Sequence, residues 1–475
     1  VDAARKRRQA GSRAGPKEMS GFVRNSKYRH VYVEPPKKED TYTGFRLSTA
    51  TGEQQYIKGN TKFFALALQG GGGPIGIVKY AAKGAYPTGA PILSGHKGSV
   101  LDLDFNPFHE HLIASCSDDS TVKIWGIPQD GLTETITEPL VDLTGHGRKV
   151  TLIRFHPTAS SVLGSVSADH TLKVWDIEKG GELTTGPEHP DLIQDLVWSF
   201  EGKLWGTTCK DKTVRLGDAR LKDDVQFTVK QPHEGAKSTK LCFLGDRPLF
   251  ATVGFTKQSQ RQLKLWDMRN TEKHVLKLDI DQAAGVIIPF FDVDTNILYL
   301  CGKGDGNIRY YEISDTAKTP VFALSEYRST SAAKGTCFIP KRGLDVMKCE
   351  TARALKLVSQ GGQGIVEPLS FIVPRKSDAF QDDLFPPTFS GNAGMTADEW
   401  FAGANKPQLT VSLDPTASGL NNERRDDNGA AAAKKSAAIT FKTPAQLKNE
   451  LEAANKKIEV LSKRLTDAGL SADVP

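Results

Sequence analysis

The sequence predicts an all-β fold, a ring of seven blades forming a β-propeller, and three observations carry the prediction. First, residues 93–125 and 143–175 are two copies of one unit. Each opens with a Leu-Ser/Thr-Gly-His run, at Leu93 and Leu143, and each closes on a Trp, at Trp125 and Trp175. In both copies His to Asp is 23 residues and Asp to Trp is 6, a register that shared composition does not produce twice. Second, weaker copies follow, with terminal positions at 125, 175, 217, 266 and 311, which are 42 to 50 residues apart. A Gly-His, an Asp turn and a terminal Trp recurring at roughly 40–45 residues mark one propeller blade. Third, the 475 residues include 44 glycines and are 38% hydrophobic, as a turn-rich β protein requires.

The two clear copies are WD repeats, and their polar residues form a predicted network. His96, Ser115, Asp119 and Trp125 make one set, and His146, Ser165, Asp169 and Trp175 the other. The Asp at the turn can accept backbone N–H bonds and an imidazole proton, while the Ser hydroxyl links His to the indole N–H. A Ser-His-Asp set also invites a hydrolase reading. Here Trp takes the fourth place of a closed network and the set repeats, so the role is structural. No catalytic residue, metal site or cofactor is assigned.

In chain order, residues 1–18 lack apolar periodicity and read as a disordered basic leader, with order expected from Met19. Tyr28–Val33 is a short strand before Pro35-Pro36. A first blade is expected over about Tyr42 to Tyr80. Within it, Gly71-Gly72-Gly73-Pro74-Ile75-Gly76 matches a dinucleotide fingerprint, but the strand-like Ile77-Val78-Lys79-Tyr80 follows where a helix is needed. A glycine hairpin is the better reading.

After the two clear blades, Thr207, Asp211 and Gly217 hold the register with Gly for Trp, and His189 precedes them. His233 precedes Trp266, with Ser259-Gln260-Arg261 where the Asp turn belongs. Cys301, Asp305 and Tyr311 keep the spacing with Tyr for Trp. A seventh blade fits between Ser325 and Val358. The propeller is expected over 19–365, closed by the 28–33 strand pairing into the last blade, because an open seam would leave an unpaired edge.

Residues 366–402 mix aromatics, prolines and charges without a period, and read as an extension packed across the propeller. Residues 403–442 are polar and alanine-rich, a linker. Over 443–475, Thr443 as N-cap, Pro444 at the first helical position and Gln446 begin a helix. Leu447, Leu451, Ala454, Ile458, Leu461 and Leu465 follow at spacings of 4, 3, 4, 3 and 4, a heptad seam suited to self-association as a short coiled coil.

Charge is uneven. The net value is +6, yet residues 1–46 carry twelve Lys/Arg against five Asp/Glu, a balance of +7, so the rest sums to −1. The basic excess suits an acidic partner. No apolar run approaches the ~18–20 residues of a membrane span. The six cysteines form no C-x-x-C pair, and Cys116, Cys209 and Cys301 share one repeat position on successive blades. Reduced core thiols are expected, without disulfides or zinc.

Several stretches lie outside generic repeat text: Ser26–Val31, Pro190–Ile193, Cys209–Arg215, Arg261–Asp267, Cys301–Asp305, Pro340–Val346 and Val373–Leu384. With the order propeller, extension, linker and coiled coil, the chain resembles coronin, the actin-binding WD-repeat family, in its short form. The resemblance implies a non-enzymatic F-actin-binding and bundling scaffold that regulates filament dynamics with the actin-branching complex. It implies oligomerisation through the coiled coil, with dimer and trimer both open, and a place in the cytoplasm at the actin cytoskeleton and cell cortex. The family's actin-contacting arginine follows an aromatic-led turn, and Tyr42-Thr43-Gly44-Phe45-Arg46-Leu47-Ser48 places that role on Arg46. A guanidinium gives bidentate carboxylate contacts to an acidic filament surface. Lys27 and Arg29 are expected to add to the same basic face. A generic propeller hub, or an adaptor making a peripheral contact with phosphoinositide membranes, is the alternative. Nucleic acid is not an expected partner.

Overall fold

The computed structural model describes residues 26–314 and 320–416. Alternating apolar residues make one strand after another, and antiparallel pairing of neighbours builds seven blades. Blades 2 to 6 are each four consecutive strands, spanning 100–143, 150–185, 193–230, 240–281 and 287–327. Blade 1 has three strands over 57–79, and Leu93 bridges its outer member at Ile75. Its glycine-rich segment is the turn between Phe63–Ala67 and Ile75–Lys79, with Gly72 and Gly73 at φ +80° and +57°. That is a hairpin, as the sequence indicates.

Blade 7 closes the ring. Ala333–Phe338, Glu350–Gln360 and Gln363–Ile372 come from the end of the chain, and the fourth strand comes from its start. Tyr32–Glu34 pairs one end of the third strand, with Tyr32 opposite Ile372. Tyr42–Phe45 pairs the other end, with Phe45 opposite Gly364. Two boundaries are corrected here. Tyr42–Phe45 belongs to blade 7 rather than to blade 1, and the expected propeller end at 365 falls inside a strand that runs to Ile372. Strand exchange at a seam is a long-range event, invisible to a local pattern.

The missing Trp of blade 4 has a structural counterpart. Gly217 lies opposite Trp205 on the neighbouring strand, and a Cβ at 217 would come within 2.8 Å of that indole. Trp205 sits 6.2 Å from His189 between ring centroids, the same spacing as His96 to Trp125 in blade 2. The large ring has moved one strand inward, so the blade keeps its volume.

The chain after Ile372 crosses the propeller. Leu384 and Phe385 are buried with Tyr28, Val31 and Phe371, while Met395, Ala397 and Trp400 are buried against blades 3 and 4. Trp400 lies 4.8 Å from the His156 ring and donates its indole N–H to the Gly202 carbonyl at 3.3 Å. A short helix, Ala397–Phe401, holds it there, started by a capping box of Thr396 and Glu399. The linker boundary expected at 403 is also corrected. Thr410–Val411 pairs with Thr388–Phe389, and Leu413 is buried. The heptad residues Leu447, Leu451, Ala454, Ile458, Leu461 and Leu465 lie outside the described residues.

Candidate functional site

The repeated Ser-His-Asp sets are closed. In blade 2, His96 Nδ1 meets Asp119 Oδ2 at 2.9 Å and Nε2 meets Ser115 Oγ at 2.7 Å, while Trp125 donates its indole N–H to the same Oγ at 2.8 Å. In blade 3 the matching distances for His146, Asp169, Ser165 and Trp175 are 2.9, 2.8 and 2.8 Å. Ser115 and Ser165 are both fully buried, so neither hydroxyl can reach a substrate. Burial would raise the Asp169 carboxyl, yet bonds from Thr171, the Gly147 N–H and His146 outweigh it and bring it down to about 2. The same balance, with His96, Thr121 and the Lys97 N–H as donors, holds Asp119 well below the ordinary carboxylate range.

Blades 4 and 5 carry the decayed form. His189 Nε2 bonds Thr207 Oγ1 at 2.8 Å, but Asp211 has turned to Arg215, at 2.5 Å. In blade 5, Trp266 donates to Thr252 Oγ1 at 2.8 Å and His233 Nε2 meets that oxygen at 3.0 Å. Without an Asp in the turn, His233 Nδ1 is buried without a partner among the described residues. Burial, with Arg215 nearby, lowers His189 to about 4, and burial, with Lys264 nearby, lowers His233 to about 3.

Arg46 is the opposite kind of residue. Phe45 and Leu47 on either side are buried, while Arg46 itself is exposed and forms no ion pair among the described residues. Its backbone is fixed nonetheless. The Arg46 carbonyl accepts from the Gln69 N–H at 2.8 Å, and the Ser48 N–H donates to the Ala67 carbonyl at 3.0 Å. The chain here passes from blade 7 to blade 1, and Gly44, within the strand Tyr42–Phe45 where its pairing register shifts, takes φ +86°, a conformation that favours glycine. Phe45 packs on Tyr86 at 4.9 Å between centroids. A free guanidinium is therefore carried on a backbone held from both sides.

Lys27 and Arg29 approach the same blade-7 strand from its other end. They precede the strand that pairs at Ile372, whereas Arg46 follows the strand that pairs at Gly364. Eight residues of strand at ~3.3 Å each separate the two ends by about 26 Å. Lys27 also donates to the Asp383 carbonyl of the extension, while Arg29 is exposed.

The segment after Arg46 fills the mouth of the ring, which sequence reasoning missed. Glu53 pairs with Lys240 of blade 5 at 2.8 Å, Lys303 of blade 6 donates to the carbonyls of Gly52 and Gln54 at 2.9 and 3.1 Å, and Lys334 of blade 7 donates to the Ser48 carbonyl at 2.5 Å. Burial, then the charge of Lys240, brings Lys303 down to about 8. Three lysines from three blades thus clamp residues 48–54. Arg261 was also missed in this role: almost fully buried, it reaches Asp281 of its own blade at 2.5 Å and Asp305 of blade 6 at 2.5 Å. All six cysteines are free thiols.

Comparison with known proteins agrees with this architecture. Models of the WD domain, G-beta repeat, match residues 89–126 and 137–176, a further type of WD40 repeat matches 366–408, and a domain of unknown function matches 21–85. The chain is 48% identical to Coronin-A of Dictyostelium discoideum over 396 residues, covering 83% of this chain and 87% of that protein. It is 42% identical to mouse (Mus musculus) Coronin-2A over 406 residues, covering 84% and 76%. The crystal structure of the WD40 domain from Toxoplasma gondii coronin superposes with a TM-score of 0.76 at 34% identity, covering 82% of this chain and 98% of that one. With a seven-bladed ring closed by its N-terminal strands and identity of this extent, the chain belongs to the coronin family of WD-repeat proteins.

Proposed function

We propose that this chain is a non-enzymatic scaffold of the actin cytoskeleton that binds the filament through the surface around Arg46. The observation that carries the reading is the exposed guanidinium, unpaired among the described residues, on a backbone held between blades 7 and 1. An arginine whose backbone is already held loses only side-chain freedom on binding and can meet a carboxylate with two parallel hydrogen bonds. Membership of the coronin family supports an actin-associated role in general terms.

The finer proposal is that the heptad segment over 443–475 brings propellers together, so that weak single contacts become tight binding and filaments are bundled. Regulation of filament dynamics, in concert with the actin-branching complex at the cell cortex, completes the reading. No cofactor is needed for it. Co-sedimentation of the full chain with actin filaments at two salt concentrations is the direct test. Binding that weakens as salt rises is expected, because exposed charges are screened over about 10 Å at 0.1 M. Binding to phosphoinositide vesicles without binding to filaments would favour the membrane adaptor instead.

A further inference from the structure

A cleft of about 640 Å³, unrelated to Arg46, lies where blades 4, 6 and 7 meet the extension. Its size falls within the ~300–1,000 Å³ typical of small-molecule sites. Five half-buried phenylalanine rings line it: Phe200 from blade 4, Phe290 and Phe291 from blade 6, Phe338 from blade 7 and Phe389 from the extension. Set among these apolar walls are two carboxylates and one ammonium, Asp292, Asp294 and Lys341.

The charges do not balance. Lys341 pairs with Asp292 and also donates to the Thr351 carbonyl at 2.5 Å. Asp294 receives only the Thr388 hydroxyl, at 2.6 Å, and has no ion-pair partner among the described residues. Burial, and then the neighbouring Asp292 carboxylate, push Asp294 up to about 6, with Lys341 and Thr388 opposing. A second group is also left over. Tyr299 is 1% exposed and lines the cleft, and its hydroxyl has no hydrogen-bond partner among the described residues. Buried polar groups without a partner are uncommon, and a carboxylate lacking a counter-charge in apolar surroundings more so.

We infer that this cleft binds an organic cation, an ammonium carried on an apolar body, with the ammonium at Asp294 and the body against the phenylalanine rings. An ammonium supplies the missing positive charge and donates to the carboxylate. The aromatic faces attract the same cation through their quadrupoles. An anionic ligand would meet Asp292 and Asp294 and be repelled. A neutral one would gain the apolar contacts alone.

The test uses 2-phenylethylammonium as the probe on the full chain, followed by ligand-observed NMR titration, with 2-phenylethanol and phenylacetate as neutral and anionic counterparts. The ammonium is expected to bind more than about tenfold tighter than the alcohol, the scale of a hydrogen bond to a charged group, and phenylacetate is expected not to bind. Asp294→Asn, which keeps a partner for Thr388, should remove that tenfold preference without lowering the melting temperature. Phe389→Ala, on the extension and outside the ring, should weaken the ammonium and the alcohol together. Equal binding of ammonium and alcohol, an Asp294→Asn variant that keeps the preference, or no binding of the ammonium would each overturn the inference.

Discussion

In blades 2 and 3 each polar side chain of the repeat finds its partner inside the blade; at the seam between blades 7 and 1, Arg46 finds none among the described residues. Ser115 bonds both His96 and Trp125, and the His96 ring is held by Asp119 on its other nitrogen. Arg46 has a fixed backbone and a free side chain. The two regions show what satisfaction of polar groups does. Where every donor and acceptor is buried and paired, the residues hold a fold and have nothing left to offer a partner. Where a charge is exposed on rigid backbone, the fold has little use for it and a partner has much. Blades 4 and 5 lie between these limits, with a His that has lost its Asp.

The sharpest way to break the comparison is to empty a closed blade. Trp175→Ala removes a buried indole that packs 6.0 Å from the His146 ring and donates to Ser165. A loss of about 3–5 kcal/mol is expected by denaturant unfolding, with filament binding at low temperature retained in the folded fraction. A loss below about 1 kcal/mol would contradict the assigned role.

Acid should separate the blades next. His189 and His233 have folded values near 4 and 3, below the unfolded value of about 6.5, so the unfolded chain takes up more protons as pH falls. Their contribution is complete above pH 6.5 and is lost on descent toward the folded values, about 2 kcal/mol for each at pH 5. Asp119 and Asp169 act later. Their folded values lie below the unfolded one, so their contribution is present above about pH 3.8 and lost only below it. His146 of blade 3 shifts in the same direction as the other two histidines but is opposed by Asp169. Stability at pH 7 minus that at pH 5 should shrink in His233→Gln by about 2 kcal/mol relative to the parent. An unchanged difference would show that His233 is not buried neutral.

Smaller effects on stability are expected beyond the ring. Removing residues 443–475 should leave the melting temperature of the propeller unchanged. It should lower apparent filament affinity and abolish bundling, both measured by sedimentation at low and high speed. Bundling that survives the truncation would remove the avidity mechanism and leave Arg46 untouched.

How much of this was legible from residues alone follows from the range of each interaction. The spacing of His96, Asp119 and Trp125 is set within one blade, so it marks blades 2 and 3 directly. Trp205 filling in for Gly217 crosses one strand, and reads as decay until the pairing is known. Tyr42–Phe45 joins a strand more than three hundred residues away, so a local pattern places it in blade 1. The clamp on Glu53 draws on lysines from three blades, and nothing local distinguishes Lys240, Lys303 or Lys334 from surface lysines. Lys27 and Arg29 look like neighbours of Arg46 in the chain, yet the strands that follow the first two and precede the third pair at positions eight residues apart on the third strand of blade 7, about 26 Å along it.

That separation makes the central claim testable with one measurement: filament co-sedimentation of Arg46→Asp beside the double variant Lys27→Asp, Arg29→Asp. An exposed charge remote from any partner alters stability by less than about 0.5 kcal/mol, so the circular dichroism and melting temperature of Arg46→Asp should match the parent. The expected result is loss of filament binding in Arg46→Asp and near-parental binding in the double variant. Parental binding by a folded Arg46→Asp protein would contradict the assignment of the filament contact to this seam.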